Sequence, residues 1–65
     1  MIVKVNTNPN FKLQLKADID LNLKCITILV ILDNLNNKKR QMKTFKGNEL
    51  PQAIEQYEEW EQFIF

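Results

Sequence analysis

Cys25 is the only thiol in these 65 residues and in principle a nucleophile, but the sequence supplies no histidine to activate it. The thiolate is the reactive form, reached with the help of a neighbouring base or positive charge. The chain has no histidine, and Cys25 opens its most apolar stretch, C-I-T-I-L-V-I-L over residues 25–32. Apolar burial disfavours the charged thiolate, so the expectation is a structural thiol. One cysteine without histidine also rules out a disulfide within the chain and the usual zinc ligand sets.

Carboxylates offer the next chemistry. Asp18 and Asp20 stand two apart, which on a strand points both to one side and suits a divalent cation or an acid and base pair with a third group. A calcium ion takes about six to eight oxygen ligands, however, and the polar face of an amphipathic strand produces the same spacing unaided. Glu55, Glu58, Glu59 and Glu61 form no acid and base arrangement either. With one glycine, Gly47, there is no phosphate-cradling loop. The expectation is a non-enzymatic chain with no metal and no cofactor.

Charge is more informative than any motif. Residues 1–46 hold all nine basic residues against Asp18, Asp20 and Asp33, a net of +6, whereas residues 47–65 hold five glutamates and no base, a net of −5. The basic residues Lys38, Lys39, Arg40, Lys43 and Lys46 cluster at one turn and the segment after it, where they could meet nucleic-acid phosphates. No zinc-finger spacing or aromatic RNA-binding motif accompanies them, so an ordinary basic turn is the preferred reading. Tyr57 and Trp60 could anchor a partner, but they share an apolar stripe with Leu50, Ala53, Ile54 and Ile64, which assigns them to the core first.

The elements that would carry these residues follow from periodicity. The run 25–32 alternates poorly, as expected of a central strand covered on both faces. Before it, Phe11, Leu13, Leu15, Ala17, Ile19, Leu21 and Leu23 alternate with polar residues, a strand with one wet face that should reverse near Asp20-Leu21-Asn22. Met1 to Val5 is an optional opening strand ended by Asn6 to Asn10. Asn34, Asn36 and Asn37 favour a second turn after Asp33, and Arg40 to Lys46 should return as a strand with Met42 and Thr44 on one face and Gln41, Lys43 and Phe45 on the other. Asn48 should cap a helix with Glu49 and Pro51 in its first turn. The expected fold is a single α+β domain over 1–65: a three-stranded antiparallel sheet, with a fourth short N-terminal strand as an option, and one C-terminal helix packed on one face.

A domain of this size buries only about 60% of its unfolded surface and has little stability to spare. Its longest apolar run is too short for a membrane span, no secretory signal opens the chain, and a cytoplasmic location is expected. If Ile26, Ile28, Val30 and Leu32 face the helix, Leu29 and Ile31 face away with Cys25 and Thr27. That second face calls for cover by another copy, by a larger protein, or by the apolar tail Phe63-Ile64-Phe65. The functional expectation is a small accessory or regulatory protein acting by protein–protein association, as a homodimer or on a larger partner. Leu29, Ile31, Glu55, Glu58, Glu59 and Glu61 are its candidate interface. The alternative is a nucleic-acid-binding module using the basic residues from Lys38 to Lys46.

Overall fold

A computed structural model describes all 65 residues, Met1 to Phe65. Four strands, β1 (Ile2–Thr7), β2 (Phe11–Asp20), β3 (Cys25–Asn34) and β4 (Lys39–Lys46), form one antiparallel sheet in the order β1-β2-β3-β4. A 3-10 turn, Gly47–Glu49, leads into the single helix α1 (Leu50–Ile64), which packs on one face. The optional opening strand is present, so the sheet has four strands. No helix is long and apolar enough to cross a membrane.

All three strand connections use one local device. Asn8 Oδ1 accepts from the N–H groups of Asn10 and Phe11, both at 2.8 Å; Asp20 Oδ1 accepts from Asn22 and Leu23; Asn34 Oδ1 accepts from Asn36 and Asn37. Each side chain thereby satisfies backbone donors that the turn leaves free. The loops after Asp20 and Asn34 also match in length, Leu21 to Lys24 and Leu35 to Lys38, and both end in a left-handed lysine, with φ of 52° at Lys24 and 58° at Lys38. These loops correct the sequence boundaries. The first reversal lies at 21–24, not 20–22, so Leu23 leaves the alternation, and Asp33 and Asn34 belong to β3. A four-residue loop needs its positive φ only at the last position, which lysine takes at a cost instead of glycine.

The core lies between α1 and one sheet face. Leu13, Leu15, Ile28, Val30 and Leu32 are buried against Ala53 and Tyr57, with Phe11, Phe45, Trp60 and Ile64 packed around them. The parity of β4 is thereby decided: Phe45 meets the core, Lys43 Nζ reaches Gln56 Oε1 at 2.9 Å, and Met42 and Thr44 point the other way. The helix entry is tight, because a Cβ on Gly47 would stand 3.1 Å from Ile26 Cβ. Asn48 does not cap; the turn is held instead by Lys46 N–H donating to Glu49 Oε1 at 2.9 Å. At the far end Asn6 Nδ2 donates to Glu61 Oε2 and Asn8 Nδ2 to the Ile64 carbonyl, tying the last helical turns to β1. The tail therefore lies on the helix side. It does not cover the second sheet face, because Ile64 is needed over Phe11 and Leu32.

Length leaves part of the sheet unflanked. The ten-residue strands β2 and β3 extend about 33 Å, whereas the fifteen-residue helix extends about 22 Å. Pairing with β1 stops at Met1 beside Ala17, and pairing with β4 stops at Lys46 beside Thr27. Residues 18–26 therefore project as a two-stranded arm, with Leu21 82% and Leu23 74% exposed at its tip.

Candidate functional site

The face opposite α1 is the candidate site, and strand register lays it out in four rows from β1 to β4. The rows are Thr7–Lys12–Asp33–Arg40, Val5–Gln14–Ile31–Met42, Ile2–Lys16–Leu29–Thr44, and Asp18–Thr27–Lys46. Paired residues point to the same side of a sheet, so each row is a line of neighbouring side chains. Apolar groups predominate in the middle rows, where Lys16 is the one charged side chain, and the other charged groups stand in the two end rows. A break in register between Ile2 and Lys4 interrupts the β1 edge.

Leu29 and Ile31 do point away from the helix, as their parity requires, but they are not the exposed part of the face. Ile31 is only 5% exposed, between the longer Gln14 and Met42 in its row, and Leu29 is half-buried between Lys16 and Thr44. Val5, Ile2 and Met42, each about half exposed, form the accessible apolar surface around them. Sequence parity placed Met42 opposite Phe45. It could not add Val5 and Ile2, whose strand was only an option.

The basic residues from Lys38 to Lys46 do not act as a group. Lys38 lies in a loop, Lys39 and Lys43 lie on the helix side, and Arg40 and Lys46 lie on the open face. Arg40 is engaged: its Nε donates to Asp33 Oδ1 at 2.6 Å and its Nη2 to Asp33 Oδ2 at 3.3 Å. That hydrogen bond, and then the Asp33 charge, raise the guanidinium pKa above its ordinary value. Lys12 and Lys16 from β2 and Lys46 from β4 also lie on the open face, in its first, third and fourth rows, with Asp33 and Arg40 in the row of Lys12. Alternation placed the first two on the wet face of their strand, but only the register sets Lys46 on that face.

Among the acidic residues, Glu55, Glu58 and Glu59 are exposed on α1, while Glu61 is half-buried and accepts from Asn6. Glu59 also borders a cleft of about 340 Å3 between Phe11, Leu32, Gln41, Trp60 and Phe63. Nine basic and eight acidic side chains make a single ion pair, Arg40 with Asp33. Layer order separates the glutamates on the helix from Lys12, Lys16 and Lys46 on the opposite side of the sheet, while on the helix side Lys43 bonds Gln56 and Lys4 lies over the Tyr57 ring.

The remaining candidates have structural places. Cys25 is exposed near the tip of the arm, paired with Asp20 beside the loop, contrary to the apolar burial its run suggested, because neither β4 nor α1 reaches it. Asp18 and Asp20 are exposed on the arm; Asp20 caps the loop, and no cluster of three metal-ligating side chains exists. Tyr57 is buried with no hydrogen-bond partner for its hydroxyl, and Lys4 Nζ lies 5.0 Å from its ring centroid. Burial, and then the Glu61 charge, push its phenol above the ordinary range. No family model, curated protein or solved structure matches this chain.

Proposed function

We propose that this chain is a non-enzymatic association module whose open sheet face binds another protein surface. The observation that carries this reading is the face itself: a half-exposed apolar band of Ile2, Val5 and Met42 that no element of the chain covers, bordered by lysines without ion-pair partners. A band of this kind with a charged rim has the anatomy of a protein interface. Nucleic acid is the second reading. Its support is that Lys12, Lys16 and Lys46 lie on the side away from the glutamates, which removes the repulsion that one shared surface would cause. No row of the open face contains an aromatic residue on which bases could stack, which favours protein.

The test is an ultraviolet-activated crosslinking residue placed at Thr44 and irradiated in the host cell. A discrete protein adduct is expected, strongly reduced when Lys16→Glu is added. Absence of any adduct, or an adduct removed by nuclease, overturns the reading.

A further inference from the structure

Resting on that association reading, we infer that the occupant of the open sheet face is the acidic helix of a second copy, so that copies stack head to tail. The argument begins with the separation of charge. Glu55, Glu58 and Glu59 are exposed on one side of the molecule, Lys12, Lys16 and Lys46 border the face on the other, and none of the six has an ion-pair partner within its own chain. The open face carries Lys12, Lys16, Arg40 and Lys46 against Asp18 and Asp33, a surplus of two positive charges that counter-charge from outside would offset.

Symmetry then selects the mode of contact. In a two-fold dimer each surface meets itself. Sheet face on sheet face would press the lysines of both copies together, and helix on helix would do the same to the glutamates. Both like-charge juxtapositions are costly. Helix on sheet joins unlike charges. The molecule measures 37 × 21 × 15 Å, so its broad face is on the scale of the roughly 800 Å2 per partner that a stable interface buries. Stacking gives each sheet a helix on both faces, the arrangement anticipated by the nearly unbroken apolar run of β3. A head-to-tail contact leaves one free helix and one free sheet at the ends of every dimer, so growth does not stop at two.

The test is molar mass by light scattering on the whole chain. At about 50 mM salt the mass should climb continuously from that of one 7.7 kDa chain to severalfold higher between roughly 1 and 100 μM, and near 500 mM salt it should return to one chain as screening removes the attraction. Two triple variants isolate the surfaces: K12Q/K16Q/K46Q neutralises the sheet, and E55Q/E58Q/E59Q neutralises the helix. With far-ultraviolet circular dichroism confirming the fold of both, each alone should remain monomeric. An equal mixture should reach twice the monomer mass and stop, since only one intact helix and one intact sheet are complementary.

A wild-type mass that plateaus at the dimer, or a mixture that stays monomeric, overturns the inference. So does association that persists in either variant alone. A wild type that is monomeric throughout, together with a Thr44 adduct to a different protein, overturns self-stacking and leaves the association reading standing.

Discussion

Tyr57 concentrates the strain of a very small core. Its ring is completely enclosed, which serves packing, but its hydroxyl is enclosed with it and finds no acceptor. A buried polar group left unpaired costs about 1–3 kcal/mol, so Tyr57→Phe should match or exceed wild-type stability, by about 1 kcal/mol, in a urea titration at pH 7. The phenol also predicts a pH dependence. Its folded pKa is raised, so as pH rises past the unfolded value near 10 the unfolded chain loses this proton first. The contribution is complete below that value and lost as pH climbs toward the folded pKa. The wild type should therefore weaken more than Tyr57→Phe between about pH 9 and 11. Equal losses in both would show that the phenol is not the responsible group.

At the level of elements, the two four-residue loops are interchangeable solutions to one problem. D-L-N-L-K at 20–24 and N-L-N-N-K at 34–38 place an Asx cap first and a left-handed lysine last. A side chain with a Cβ pays about 1–2 kcal/mol in that conformation, so Lys24→Gly and Lys38→Gly should each stabilise by up to about 1 kcal/mol after the added chain entropy of glycine is offset. The loops stand at opposite ends of β3, and their effects should add in urea midpoints. The arm and the core should respond very differently to truncation. Leu13→Ala empties a fully buried site and should cost about 2–5 kcal/mol, comparable to the whole stability of such a domain, so loss of helical and sheet signal at 25 °C is expected. Leu21→Ser and Leu23→Ser should stay within about 0.5 kcal/mol.

Across the whole molecule, a near-neutral total conceals two oppositely charged surfaces. Within one copy Glu55, Glu58 and Glu59 do not meet Lys12, Lys16 and Lys46, because the sheet stands between them, and the only ion pair lies on the sheet side. The same layering limits burial. One helix serves a sheet with two faces, and only nine residues fall below the surface. Exposed apolar groups are consequently spread over the arm, the β1 edge and the end of α1, and the lysine-rimmed open face is the one where charge complementarity identifies an occupant. Salt should therefore act on association far more than on folding: between about 50 and 500 mM the molar mass should fall, while the urea midpoint of the monomeric variants should change little, since a single exposed pair contributes about 0–1 kcal/mol.

Local chemistry was enough to place three strands, the helix and an optional opening strand, because periodicities of two and 3.6 residues and turn-forming asparagines are written in consecutive residues, but not to decide which side of β4 meets the core. Strand parity alone put Ile28, Val30 and Leu32 on one face and Leu29 and Ile31 on the other, while the unbroken apolar run left open which set meets the helix. The division of charge between residues 1–46 and 47–65 was equally legible. Register and relative length were decided only by the folded chain. Register split Lys38 to Lys46 among a loop and two faces and set Lys46 on the same face as Lys12 and Lys16, residues that no sequence window joins. Length exposed Cys25, which its apolar neighbours suggested was buried, because β4 and α1 both end before reaching it. Side chains placed within one strand follow from local sequence, whereas neighbours across strands depend on where each turn closes and where each element stops.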